Sequence, residues 1–226
     1  MRYADTMRLF RRIRNFFKPT MEYAGELYAS GHFLKAAKIL RKHAGNPNAC
    51  FTLATMYENG QGVRRNVKAA LHLYFLSARL GSPHAMLTLG NYMRQGVYME
   101  KRPEGALAMF EAAAATGMPE AQYKAGLYHL HGHVGKKNPE KAFEYFEKAA
   151  EQGYPPAQNR LGLLFAGGRG TIQSDEDAVY WYTKAAEQGH GEAMYNLGCM
   201  LSGGRGTKRD NKAALKWFRE AAKKYG

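Results

Sequence analysis

Residues 157–189 read AQNRLGLLFAGGRGTIQSDEDAVYWYTKAAEQG, and residues 193–222 read AMYNLGCMLSGGRGTKRDNKAALKWFREAA. Set one above the other, Ala157 falls on Ala193, Leu161-Gly162 on Leu197-Gly198, Ala178 on Ala214, Tyr182 on Phe218 and Ala186 on Ala222, each 36 residues apart. A fixed period of this size marks a repeat architecture and overrides any domain estimate made from length. Working outward, the same period links Ala49, Ala85, Ala121, Ala157 and Ala193, and likewise Gly60, Gly96, Gly132, Gly168 and Gly204. The aromatic column is Tyr74, Phe110, Phe146, Tyr182 and Phe218. Five copies hold register without a gap.

Within one copy the apolar spacing is helical, as Ala85, Leu89, Tyr92 and Met93 show in the first half and Ala106, Leu107, Phe110, Ala113 and Ala114 in the second. Each copy is therefore expected to be two amphipathic helices. Gly81, Gly117, Gly153 and Gly189 suit the left-handed position after a helix, and Pro47, Pro83, Pro119 and Pro155 the first turn of the next. Asn66, Asn138, Ser174 and Asp210 share an N-cap column that only Arg102 breaks. Gly90, Gly126, Gly162 and Gly198, with Ala54 in the first copy, stand inside the first helix. A helical glycine costs roughly 1 kcal/mol relative to alanine, so close packing of a neighbouring helix must offset it. Hairpins of this size bury their apolar faces only by stacking. The expected fold is all-α, an α-α solenoid of about five 36-residue helix pairs spanning 47–226. Residues 21–46 read as a shortened capping pair, and 1–20 as a basic amphipathic N-terminal segment.

Segments such as Ala193 to Gly206 followed by Ala213 to Ala222, and Ala157 to Gly170 followed by Ala178 to Gly189, resemble Sel1-like repeats, relatives of the tetratricopeptide family. The resemblance covers about residues 47–226 and implies antiparallel helix pairs in a right-handed superhelix with an adaptor or scaffold role. Pentatricopeptide proteins have a similar period, but the Leu-Gly and Gly-x-Gly columns favour the Sel1 pattern. Copies two and three depart from it, with Tyr98 and Val134 where Gly62, Gly170 and Gly206 stand, so their inter-helix loops are expected to differ.

Composition excludes several classes. The 226 residues are 45% hydrophobic, too apolar for a disordered chain, and two cysteines are too few for a disulfide-stapled secreted domain. No apolar run approaches the roughly 18 residues of a membrane span, and the first twenty residues lack the apolar core of a secretory signal. A cytoplasmic protein is the expectation. Cys50 and Cys199 lie about four hairpins apart, beyond the ~7 Å Cα reach of a disulfide, and are read as free thiols.

Catalysis has little support. Ser30, Ser77, Ser82, Ser174 and Ser202 sit at turns, caps or within repeat helices, and no nucleophile, base and orienter converge from spacing. Asp175 and Asp177 stand at a helix start, where they complement the dipole. The Gly167-Gly168-Arg169-Gly170 and Gly203-Gly204-Arg205-Gly206 loops lack the strand and Lys-Ser/Thr of a phosphate loop. His129, His131 and His133 form a histidine cluster without nearby cysteines, and His129 falls in a core column. Neither enzyme activity, cofactor nor metal is expected.

Binding is the leading expectation. By the resemblance, the first helix of each pair lines a concave surface, with Phe51, Leu87, Tyr123, Asn159 and Tyr195 in one column and Thr55, Asn91, Leu127, Leu163 and Cys199 a turn later. Arg94, Lys124, Arg160 and Asn196 flank them. Asn can hold a peptide's backbone amides, Tyr offers rigid contact area, and Arg or Lys pairs with acidic side chains. The partner-binding set is therefore Phe51, Asn91, Arg94, Tyr123, Lys124, Asn159, Arg160, Tyr195 and Asn196, holding a protein or peptide. The alternative is an anionic surface, nucleic acid or membrane lipid, because 33 Lys+Arg against 19 Asp+Glu leave a formal charge of +14. On the N-terminal segment, Arg8, Arg11, Arg12 and Arg14 oppose Leu9, Phe10, Ile13, Phe16 and Phe17, a pattern suited to docking on the first helix pair or to an anionic surface. Arg64, Arg65, Lys101, Lys136, Lys137, Lys208 and Arg209 recur in the loops, a stripe that Ile172 and Gln173 interrupt.

Overall fold

The computed structural model describes residues 20–224. The N-terminal basic segment, with Arg8, Arg11, Arg12 and Arg14, lies outside the described residues up to Pro19. Twelve helices and no strand occur among the described residues, so the fold is all-α. They are α1 (Met21–Ala29), α2 (Phe33–Lys42), α3 (Pro47–Asn59), α4 (Val67–Arg79), α5 (Pro83–Gln95), α6 (Pro103–Ala115), α7 (Pro119–His131), α8 (Pro139–Glu151), α9 (Pro155–Gly167), α10 (Asp175–Glu187), α11 (Gly191–Gly203) and α12 (Asn211–Ala222). From α3 on, odd-numbered helices are the first and even-numbered the second of each repeat. The chain forms two compact units, one ending at Leu89 and the other beginning at Gly90.

In the first unit α1 and α2 form the shortened pair, and Ala24, Leu27, Ala36, Ala37, Ile39, Leu40, Ala49, Leu53 and Met56 make one buried cluster that joins it to α3. Buried Ser77 of α4 donates its hydroxyl to the carbonyl of Pro47 at 2.7 Å, fixing the pair α3–α4 at its open end. In the second unit α8 packs on its own first helix α7 and on α9 of the following repeat, and α10 does the same with α9 and α11. Phe146, Ala149, Ala150, Ala157, Leu161 and Leu164 form one such shared core, and Tyr182, Ala185, Ala193, Leu197 and Met200 the next.

Local signals act as the sequence requires. Asn66, Asn138, Ser174 and Asp210 accept from the N–H groups of Ala69, Lys141, Asp177 and Ala213 at 3.0, 2.8, 3.1 and 2.9 Å, whereas Arg102 makes no cap bond. These side chains satisfy amides that a helix start leaves without partners. Gly170 and Gly206 combine a positive φ with backbone contact. A Cβ on Gly170 would meet the Pro139 carbonyl at the start of α8, and one on Gly206 the Asp175 carbonyl in the first turn of α10. The two divergent loops solve this differently. Tyr98 itself takes the left-handed conformation at φ 62° and sets its ring edge on Tyr92, while in the next repeat Gly135, one residue after Val134, turns the chain at φ 76°.

The glycine column of the first helices has one function. A Cβ on Gly90, Gly126, Gly162 or Gly198 would lie 2.6, 2.7, 2.5 and 2.6 Å from the ring of Phe110, Phe146, Tyr182 and Phe218 respectively. Each second helix thus lays its aromatic ring against bare Cα. Replacing Gly162→Ala should lower unfolding free energy by about 1–3 kcal/mol through overpacking on Tyr182. Gly25→Ala, in α1 with open space around the added methyl, should instead raise it by about 0.5–1 kcal/mol through helix propensity. Urea denaturation of the two variants checks both signs.

Candidate partner-binding site

The first-helix column expected to contact a partner is partly a packing column. Phe51 lies 5.6 Å from the Tyr74 ring, Tyr123 5.7 Å from Phe146 and Tyr195 5.5 Å from Phe218, so each presents part of its surface and braces its own hairpin with the rest. Tyr123 also meets Tyr154 edge-on. Tyr195 is 57% exposed. It opens, with Glu192, Phe218, Ala221 and Ala222, onto a cavity of about 570 Å³ at the last repeat.

Asn159 differs from expectation. It is 1% exposed, and its Oδ1 accepts a 3.0 Å bond from Nδ2 of Asn196 on α11, so Asn196 occupies the accessible side of this pair. Arg160 beside it reaches Glu192 at 3.8 Å, while its Nε is buried without a partner. Lys124 pairs with Glu120 one turn earlier at 3.4 Å. Asn91 is half-buried and Arg94 exposed. On this face of the second unit, cations and amides surround partly covered aromatic rings.

Arg64, Arg65, Lys101, Lys136, Lys137, Lys208 and Arg209 are all exposed. In the first unit Arg64 and Arg65 join Lys38 and Arg41 around a cavity of about 580 Å³ that also includes Leu34 and Tyr57. In the second, Lys101 lines a cavity of about 390 Å³ with Arg94, Pro103, Tyr128 and His133. The Gly-Gly-Arg-Gly loop at 203–206 serves the stack: Arg205 grips Asp175 at the start of α10 through two bonds of 2.7 and 3.2 Å. Both cysteines are free thiols, Cys50 buried and Cys199 exposed. Burial pushes the Cys50 thiol up.

The histidine cluster divides. His131 and His133 are exposed with ring centroids 5.5 Å apart. His129 turns inward, stacks on Tyr145 and bonds Glu111 on α6 at 2.9 Å. Glu111 also receives Lys141 at 3.0 Å and the Tyr145 hydroxyl at 3.3 Å, so one carboxylate ties α6, α7 and α8 together. Burial and the Glu111 charge push the Tyr145 hydroxyl up to about 12. No cluster of metal-ligating groups occurs among the described residues.

A second polar device was not read from the sequence. Gln152 donates to Gln122 at 2.8 Å and Gln122 to the carbonyl of Ala114 at 3.5 Å; one repeat on, Gln188 donates to Gln158 at 2.8 Å and Gln158 to Ala150 at 3.1 Å. The signal was the presence of glutamine at both positions in the same two copies.

Burial alone raises the Glu111 carboxyl, but the bonds and charges of His129 and Lys141 outweigh it and hold its pKa below the ordinary 4.5. A depressed folded-state pKa adds stability above the unfolded value, which is lost as pH falls through the folded one. Glu111→Gln should therefore cost about 1 kcal/mol near neutrality, moderated by partial exposure. The difference from wild type should shrink as pH drops below 4.5, read from urea midpoints along a pH series.

Residues 47–82, 83–117, 119–154, 155–190 and 191–225 each match the Sel1 repeat family. A Sel1 repeat protein from Oxalobacter formigenes is similar at 29% identity over 90% of this chain and 82% of its own, with a TM-score of 0.82. The protective antigen c5321 of uropathogenic Escherichia coli, which displays an SLR fold, is 31% identical over 90% of this chain and 46% of its own, with a TM-score of 0.76. The immunity protein PA5088 of Pseudomonas aeruginosa shares the fold at 22% identity over 88% of this chain and 80% of its own, with a TM-score of 0.53. No curated protein sequence matches. With five registered repeats and the helix pairs that they build, the chain belongs to the Sel1 repeat family.

Proposed function

We propose that the protein is a non-enzymatic adaptor that holds a protein or peptide partner on the first-helix face of its second unit. Sel1 repeat proteins generally mediate protein–protein interaction and are generally scaffolds rather than catalysts. The observation that carries the reading is the set Asn91 and Arg94 on α5, Tyr123 and Lys124 on α7, Arg160 on α9, and Tyr195 and Asn196 on α11, each half-buried or exposed. Rigid rings with one covered edge lose little freedom on binding, and flanking cations and amides give direction to the contact. Asn159 supports Asn196 from beneath.

A second reading, contact with an anionic surface, is favoured by the cavity of about 580 Å³ in the first unit, where Lys38, Arg41, Arg64 and Arg65 surround exposed Leu34. No helix among the described residues is long and apolar enough to cross a membrane. Liposome and oligonucleotide titrations at varied salt separate this reading from the first, since counterion release makes such binding fall steeply with salt.

Affinity capture from native cells with wild type and with Lys124→Ala/Tyr195→Ala tests the leading reading. Recovery of bound partner should fall about tenfold or more, as expected when contacts at an interface centre are truncated, with helical content retained and melting lowered only by the lost Tyr195–Phe218 contact. Full recovery of every partner by the double variant removes this face from the account.

A further inference from the structure

The cavity of about 390 Å³ between α5, the loop after it and the end of α7 is lined by Arg94, Lys101, Pro103, Tyr128 and His133. We propose that it seats carboxylates of an acidic segment of the partner. The proposal rests on the adaptor reading and names the chemistry of its partner. Three groups at this cavity can donate to an oxyanion, and Arg94 and Lys101 have no carboxylate paired to them among the described residues. Tyr128 is only 5% exposed, yet its hydroxyl makes no hydrogen bond among the described residues. Its ring is fixed edge-on between Phe110 at 5.4 Å and His133 at 4.9 Å. Tyr128 lines the cavity, so a carboxylate oxygen entering it would accept from the free hydroxyl while pairing with the guanidinium and ammonium.

The positive field continues along the unit. His131 adjoins His133, and Lys137 of the same loop, Arg160 of α9 and Arg169 of the following loop all act on it electrostatically. Arg94 and Arg160 stand two repeats apart, on the order of 20 Å for first helices spaced ~8–10 Å. An extended peptide crosses that distance in about six residues. Single-stranded nucleic acid needs exposed aromatic faces for base stacking, but the ring that lines this cavity, Tyr128, is held between Phe110 and His133. The observations therefore favour an acidic peptide.

Burial, then the charges of His133, Arg160, Lys137 and Arg169, holds the His131 imidazole below its ordinary range. The groups named act on it from α9 and from both loops, and all are basic. An acidic segment laid among them would raise its proton affinity, so binding takes up a proton and tightens as pH falls toward the imidazole's depressed range.

The test is fluorescence anisotropy of the full chain with a labelled octapeptide of alternating Glu and Ser, beside a Lys-Ser counterpart. The acidic peptide should bind and the basic one should not. Tyr128→Phe, which keeps the ring, and Arg94→Gln, at an exposed position, should each weaken binding about fivefold or more with unchanged melting. Wild-type affinity in both variants overturns the proposal, as does stronger displacement of the label by inorganic phosphate or oligo-dT than by unlabelled octapeptide. If the octapeptide fails to bind while native partners are still lost with Lys124→Ala/Tyr195→Ala, the acidic chemistry is wrong and the adaptor reading stands.

Discussion

An aromatic ring resting on a bare Cα sets the spacing of every hairpin in the second unit. Gly90, Gly126, Gly162 and Gly198 leave room for the rings of Phe110, Phe146, Tyr182 and Phe218, and the depth of that contact determines how far each second helix sinks against its first. Because the second helix also carries the surface on which the next first helix packs, the same contact positions successive first helices and the side chains they expose. The first repeat relaxes the rule. Ala54 replaces glycine there, and Tyr74 is held instead by its hydroxyl, bonded to Glu58 at 2.7 Å and to Thr55 at 3.1 Å.

The polar groups inside the second unit are arranged around this apolar frame. Glu111 collects His129, Lys141 and Tyr145 on one flank, and the glutamine pairs link helix ends on another. Buried polar atoms are tolerable when partnered, and these chains of bonds give buried Gln122 and Gln158 partners on both sides. Among the described residues the buried side-chain atoms left without a partner are neighbours on α9, Nδ2 of Asn159 and Nε of Arg160.

Most of the architecture was legible because a repeat is its own alignment. The columns at Ala49, Gly60, Gly90 and Tyr74 fix two helices, their boundaries and their inward faces, and the N-cap column marked Arg102 as its exception. The site was less legible. Sequence spacing places Asn159 and Tyr195 in one column, yet one is sealed beneath Asn196 and the other is open, because burial depends on what the following hairpin lays over that position. The loops show the same limit: Tyr98 takes a left-handed backbone that pattern alone assigns to glycine, and Val134 passes that task to its neighbour. The charged and amide contacts run between residues about 30 positions apart, such as Gln122 with Gln152 and Arg205 with Asp175, a distance over which apolar periodicity carries no information.

Stacked alanine-rich helices are smooth, and apolar contact alone tolerates a neighbour displaced by one turn. The glutamine relays remove that tolerance. A hairpin that slid along its partner would strand the amides of Gln122 and Gln158 against hydrocarbon, each at a cost of about 1–3 kcal/mol, so the relay works as a ratchet tooth that admits one seating and rejects the slipped ones.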